Sequence, residues 1–290
     1  MSDAQDVRAF DYHAYLRNVL GAEGDRPLYV ATEADFSQGL GVAHPYRSYF
    51  YALGLMHEDG CRLRVGFRVF NVGRRALTLV GPGIARLWLE NNWQVRNTTL
   101  FFTPELFSFP FDARFLRDYP FFQPGAHHVL HLSEAHYRDL TALLGTVPRY
   151  ARTPRTAAGL LYALLEQIAE LYPEYIGHVR AQPRSRLLQT LTLLLHEHFR
   201  EHKDVGFYAN ALHLSAKHLS AQVKAQTGRT LKQLIDDYVL FEAKSLLSQT
   251  ELSAKEITYW LGYDDPSYFG RLFKHKEGVS PQAYRLSAMP

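Results

Sequence analysis

Short apolar runs separated by turn residues fill the chain from Pro27 to about Pro124. Ser48–Met56 (SYFYALGLM) and Leu63–Phe70 (LRVGFRVF) are rich in aromatic and β-branched residues, which predicts strands. The second alternates, with Leu63, Val65, Phe67 and Val69 set against Arg62, Arg64 and Arg68. His57-Glu58-Asp59-Gly60 separates the two runs as a turn. Leu77–Val80, Ala85–Leu89 and Thr98–Phe102 continue the series, punctuated by Gly81-Pro82-Gly83 and Asn91-Asn92. Strands at this spacing predict a sandwich or a barrel.

After Leu132 the apolar period becomes helical. Ser133 and Glu134 open a segment with Leu140, Leu143 and Leu144 on one side, and Val147–Thr156, holding Pro148 and Pro154, reads as a loop. Ala157–Leu171 is a helix with Leu160, Leu161, Leu164, Leu165 and Ile168 on one face, either capping the sheet region or forming a seam between two chains; the seam is the expectation. Pro173, Pro183, Arg184 and Arg186 mark a linker, and everything from Ser185 on is helical by pattern. The fold class is thus α+β in two domains: residues 1–172, a linker at 173–184, and an all-α domain at 185–290.

Within that last domain two units share one order of signals. In the second, Ser253 and Glu256 stand at capping-box spacing and Ile257 and Leu261 share a face. Gly262 supplies a left-handed stop and Tyr263 fills the corner. Asp264 or Asp265 then caps a helix that begins at Pro266 and buries Phe269, Leu272 and Phe273. Gly278 and Ser280-Pro281 end it and start a final helix. In the first unit Phe207–Leu212 is a short helix, His213-Leu214 the turn and Ser215 the cap of the next helix, whose Leu219 and Val223 point inward before Gly228. Thr230–Leu247 is a long helix that joins the units. Each is a helix-turn-helix whose second helix leaves polar and basic side chains off the core, as entry into a major groove requires.

Composition changes this picture little. With 47% hydrophobic and 21% charged residues the chain is of ordinary globular type, and its net charge is only +3. From Arg184 on there are 14 Lys and Arg against 11 Asp and Glu, so the formal excess of positive charge falls in the helical third. One cysteine, Cys61, excludes an internal disulfide and a Cys-rich zinc site. No apolar run reaches membrane-span length and the first residues carry no secretory pattern, which places the chain in the cytoplasm.

Glu242-Ala243-Lys244 with Leu246-Leu247, then Glu256-Ile257, Leu261-Gly262-Tyr263, Ser267-Tyr268-Phe269, Phe273-Lys274, and Gly278 through Ser280-Pro281 to Tyr284-Arg285, resemble the two-unit DNA-binding domain of AraC/XylS-type transcriptional regulators. Two positions depart from that pattern: Thr258 replaces a small residue, and Ala221 stands where a base-reading basic residue is common. The resemblance implies base contacts from Lys217, Ser220, Ser267, Tyr268 and Arg271, and phosphate contacts from Lys224, Lys274 and Arg285. It also implies double-stranded DNA as partner, RNA polymerase as a candidate partner, and a homodimer. The N-terminal half is similar to the sensor of such regulators, a cupin-like β-barrel with dimerising helices, on the evidence of His44-Pro45-Tyr46, Thr99–Phe102 and Tyr119-Pro120-Phe121-Phe122. A small-molecule effector in that barrel follows from the resemblance, with no residues assigned to it.

Other chemistry is weakly represented. His127-His128 and His131 lack the spacing of a metal triad, and His196, His198 and His202 read as an exposed helix face, so neither a metal nor a cofactor is expected. Arg62, Arg64 and Arg68 read as the outer face of a sheet, with an anion-lined pocket as the alternative. The competing functions are a cupin-type metal-dependent enzyme with an accessory DNA-binding domain, and a repair methyltransferase, which Cys61 alone does not equip. No catalytic arrangement is evident, and the chain reads as a non-enzyme.

Overall fold

The computed structural model describes residues 11–22, 26–38, 44–89, 95–108, 112–180 and 183–288. Asn91-Asn92 and residues 181–182 of the expected linker lie outside the described residues.

Two antiparallel sheets form the N-terminal region. The larger contains β1 (Leu28–Thr32), β2 (Tyr51–Met56), β5 (Ala76–Val80), β7 (Asn97–Phe102) and β8 (Val129–His131) in the order β1-β7-β2-β5-β8. The smaller contains β3 (Cys61–Val65), β4 (Arg68–Val72) and β6 (Arg86–Trp88) in the order β4-β3-β6. Their ladders do not join, so the expected barrel is corrected to two separate sheets. Closure needs a hydrogen-bond ladder that runs around without an edge. The three-residue β6 bonds to β3 and extends no ladder to the larger sheet.

The apolar run around β2 lacks alternation because the strand is covered on both sides. Tyr51, Leu53 and Leu55 join the core beneath the helices, while Ala52 and Met56 join clusters on the opposite face. The alternation over Leu63–Phe70 has a different cause from the one expected. It is a hairpin, β3 pairing with β4 from Cys61↔Val72 to Val65↔Arg68, and Gly66 at φ 57° occupies the first of two loop positions. The side-chain parity therefore resets: Leu63, Val65, Phe70 and Val72 are buried, whereas Val69 is 51% exposed. Arg64 and Arg68 serve structure: Arg64 lies over the Phe241 ring, and Arg68 donates to the carbonyl of Ala126 at 3.1 Å.

A helix absent from the sequence reading, α1 (Tyr12–Val19), is capped by Asp11 and packs Tyr12 and Tyr15 against Phe50 and Phe101. The short helix α2 (Glu33–Gln38) follows β1. Further on, α3 (Glu134–Tyr150) takes in Pro148 in its last turns, and α4 (Pro154–Arg180) begins on Pro154 and runs through Pro173. The expected loop at 147–156 thus shrinks to residues 151–153 between the two helices, and most of the expected linker is helix. The prolines are tolerated for stated reasons: Pro154 stands at a helix start, where its missing N–H costs nothing, and Pro173 is exposed on a helix anchored by Tyr172 and Ile176. Leu161, Leu164, Leu165 and Ile168 are fully buried against the larger sheet of the same chain. The face expected to form a seam is therefore a cap on the sheet.

His128 is buried at 1% exposure beside the Phe70 ring, its Nδ1 donating to the Leu79 carbonyl at 2.8 Å. Burial pushes its pKa down to about 3, against the effect of that hydrogen bond, and the Arg68 guanidinium adds to the depression. Between the free value and the folded one, the unfolded chain binds a proton that the folded chain does not, so stability is lost as pH falls through that window. Urea unfolding at about pH 7 and about pH 5 is expected to show a loss on the order of 1–2 kcal/mol at the lower pH. His128→Asn is expected to shrink that difference; an unchanged difference assigns the acid sensitivity elsewhere.

The C-terminal region is a second core around α8 (Leu231–Gln249), joined by α5 (Pro183–His198), α6 (Val205–Ala211), α7 (Ala216–Thr227), α9 (Ala254–Trp260), α10 (Pro266–Glu277) and α11 (Pro281–Ala288). The histidines of this stretch are part of it: in α5, His196 Nδ1 lies 3.2 Å from the Tyr238 hydroxyl, and beyond the helix the His202 ring stacks on Phe207 at 3.7 Å. The two regions meet along α8. Arg47 forms an ion pair with Glu242, and its backbone exchanges two hydrogen bonds with the Gln249 side chain, at 2.7 and 3.0 Å. Ser248 Oγ donates to the Pro45 carbonyl at 3.2 Å, and His44 Nδ1 lies 2.9 Å from the Tyr284 hydroxyl. Burial holds the His44 pKa below its ordinary value, which favours the neutral ring against Tyr284.

Candidate nucleic-acid interface

Each unit is built from local signals that agree with its packing. Asp204 caps α6 and Ser215 caps α7, whose end is the left-handed Gly228 at φ 71°. The turn between them places His213 at φ 55°, a conformation unusual for a residue with a Cβ. In the second unit Ser253 and Glu256 complete a capping box on α9, Asp265 caps α10 with Pro266 at its first turn, and Gly278 at φ 79° ends it. Leu219 and Val223 anchor α7, and Phe269 and Phe273 anchor α10, in one shared core. Leu272 is half-buried at the edge of that stripe.

The corner of the second unit admits only glycine. Gly262 has φ +76°, and a Cβ there would stand 1.7 Å from the Arg200 carbonyl oxygen. The approach is held by Lys203 Nζ, which donates to the carbonyls of Arg200 and Gly262 at 2.9 and 3.0 Å and lies over the Tyr263 ring. Thr258, in place of a smaller residue, is 1% exposed and returns its hydroxyl to the Ala254 carbonyl at 2.8 Å, so its polarity is satisfied within α9.

The anchoring residues fix which side chains face outward. On α7, Lys217 and Lys224 are exposed and Ser220 is half-buried; on α10, Ser267, Tyr268, Arg271 and Lys274 are exposed. Tyr268 is 47% exposed and its ring rests against Tyr263, an aromatic surface backed by the corner residue. Arg271 extends into solvent, with Nη2 3.9 Å from Asp265 Oδ2, a loose exposed pair that is weak by its geometry. Lys276, absent from the expected set, adds positive charge to the last turn of α10, where it also complements the helix dipole.

Arg285 is placed differently from the expectation. Its guanidinium donates to the Leu247 carbonyl at 3.2 Å and to the Leu252 carbonyl, tying α11 to the end of α8. The group is thereby occupied within the domain instead of standing free for a phosphate. Lys244, quoted among the recurring residues of the domain, pairs with Glu277 at 3.0 Å and braces α10 against α8. Glu242 is 1% exposed and faces Arg47, a role no local pattern signals because its partner lies 195 residues away.

The family described as a helix-turn-helix domain, HTH_18, matches residues 208–287. The Xylose operon regulatory protein of Haemophilus influenzae is 30% identical over 141 residues, which is 45% of this chain and 36% of that protein. YisR of Bacillus subtilis, an uncharacterized HTH-type transcriptional regulator, is 36% identical over 121 residues, 40% of this chain and 42% of its own length. The chain thus spans about two fifths of the curated relatives it matches. Among solved structures, the C-terminal domain of AraT, a response regulator from Geobacillus stearothermophilus, is 31% identical with a TM-score of 0.34, covering 38% of this chain and 90% of that one. With two capped helix pairs on one core and a match spanning both, residues 208–287 are a helix-turn-helix domain.

Proposed function

We propose that this chain is a sequence-specific DNA-binding transcriptional regulator, with α7 and α10 as the two helices that enter major grooves. The observation that carries the reading is the pairing of two capped helices on one core, each presenting exposed polar and basic side chains away from its buried anchors. Lys217, Ser220, Ser267, Tyr268 and Arg271 are the base-reading candidates, and Lys224 and Lys274 contact phosphates. The DNA-binding domain begins at α5, with the boundary between α4 and α5 instead of a linker from residue 173. Residues 1–172 act as a cupin-like sensor for a small-molecule effector, and the chain works in the cytoplasm as a homodimer with RNA polymerase as a partner. No helix among the described residues is long and apolar enough to cross a membrane. Support for effector control comes from the joint between the regions: the strand-edge segment 44–47 reaches α8 directly, so a change in the sheet region bears on the DNA-binding core.

The test separates the two basic residues of α10. The planar fork of Arg271 matches guanine O6 and N7, so Arg271→Ala is expected to weaken a cognate site by about 1–3 kcal/mol and relax preference at one position. Lys274→Ala is expected to weaken all sequences alike and to lower the salt slope by about one unit. Competition binding at two salt concentrations reads both. Equal loss on specific and random DNA for Arg271→Ala reassigns base reading to Ser267 and Tyr268, and absence of any sequence preference in the wild-type chain overturns the regulator reading.

A further inference from the structure

A cavity partly open to solvent lies between the two sheets. Its described walls are dominated by Tyr15, Phe36, Trp88, Phe101, Val80 and Met56, and no carboxylate is among the described lining residues. One charged group lines it. Arg86, on β6, is 2% exposed, and its Nη1 and Nη2 have no hydrogen-bond partner among the described residues. The guanidinium lies over the Tyr46 ring at 4.6 Å and near Phe50 at 5.9 Å, contacts that favour a cation but take up none of its N–H donors.

A buried guanidinium with both terminal nitrogens unpaired is costly, and such groups are found where an anion completes them. The polar neighbours in the cavity offer no substitute. Thr78 Oγ1 donates to the Gly54 carbonyl, Asn97 Nδ2 to the Val95 carbonyl, and Thr99 Oγ1 to Asn97 Oδ1, so the side chains of Thr78 and Thr99 already serve the sheet. A single cation in an apolar chamber matches one negative charge; a dianionic phosphate ester would carry a second charge with nothing to meet it. The two parallel donors of an arginine fork fit the two oxygens of a carboxylate.

We propose that this cavity binds a monocarboxylate with an apolar aromatic or aliphatic body, its carboxylate held by Nη1 and Nη2 of Arg86. The proposal rests on the reading of residues 1–172 as an effector-binding region and names the effector's chemical class. Its position is suited to that role. The Arg86 backbone exchanges two 2.9 Å hydrogen bonds with Tyr46, and the next residue, Arg47, is the one paired with Glu242 on α8.

The experiment is calorimetric titration of the full chain, without DNA, with octanoate and phenylacetate and with the matching amides, octanamide and phenylacetamide. Each acid is expected to bind about 10–100-fold more tightly than its amide, as loss of a charge-assisted hydrogen bond implies. Arg86→Met is expected to abolish that preference while leaving the ligand-free protein at least as heat-stable as the wild type, because it removes an uncompensated buried charge. Arg86→Lys, which keeps the charge without the fork, is expected to retain the preference at reduced affinity. Equal binding of acid and amide by the wild type, no binding of either acid, or an acid preference that survives Arg86→Met overturns the proposal. Because no DNA is present, these outcomes bear only on the ligand class. Absent operator binding in a chain that still prefers the acids would instead sink the regulator reading.

Discussion

Glu242→Ala is expected to lower the stability of the full chain by about 3–5 kcal/mol, the cost of leaving the other half of a buried ion pair without its partner. Glu242 is 1% exposed and the Arg47 side chain 13% exposed, and burial works against the Arg47 charge while Glu242 holds its pKa above the ordinary value. Removing the carboxylate leaves a guanidinium whose Nε already lacks a partner among the described residues. Arg47→Ala is expected to cost a similar amount, since it strands the carboxylate on α8 beside Tyr238, whose own pKa burial and Glu242 together raise. The double alanine variant should lose less than the sum of the two, with a coupling of about 0.5–3 kcal/mol. An Arg47→Met, Glu242→Leu pair is expected to recover most of the loss, because well-packed apolar groups replace buried ions at little net cost. Urea unfolding of the four variants measures this. Losses below about 1 kcal/mol for both single variants would show that the pair behaves as a solvated surface bridge.

That pair also marks where sequence reading stops. The C-terminal grammar was legible because its signals are local: Ser253 with Glu256, Asp265 with Pro266, and the left-handed glycines 228, 262 and 278 each act within one turn of the chain. Anchors such as Phe269 and Phe273 follow from helical period alone. The exposed set on α7 and α10 is its complement, so the outward side chains of these helices follow from the same period. Arg285 differs in that its acceptors lie at residues 247 and 252, and no local spacing encodes that fold-back. In the N-terminal region the misread hairpin at Gly66 has a comparable cause. A two-residue loop preserves the look of alternation while reversing the chain, so Val69 reads as inward although it is exposed. Arg86 carried no signal at all: an arginine in a short strand becomes informative only when the opposite sheet closes over it.

Leu161→Glu carries the other large expected effect, and it decides the role of α4. Leu161 and Leu165 are 0% exposed and pack with Leu53, Leu100 and Phe102 in the core of one chain. Truncating such a leucine costs about 2–5 kcal/mol, and a carboxyl in its place adds the cost of burying a polar group or of holding it protonated. The total, at least about 4 kcal/mol, is comparable to the whole stability of a marginal domain. The N-terminal region is therefore expected to lose its cooperative unfolding transition. The C-terminal core, whose buried residues are a separate set, should remain folded. Ala163→Glu, on the exposed side of the same helix, is expected to change stability by no more than about 0.5 kcal/mol. Urea unfolding followed by circular dichroism reads the first variant against the second, and sedimentation velocity reads their assembly. If Leu161→Glu gave a fully folded chain whose only change was from dimer to monomer, its side chain would have to lie in a seam between chains, and the packing of α4 on the larger sheet would be wrong.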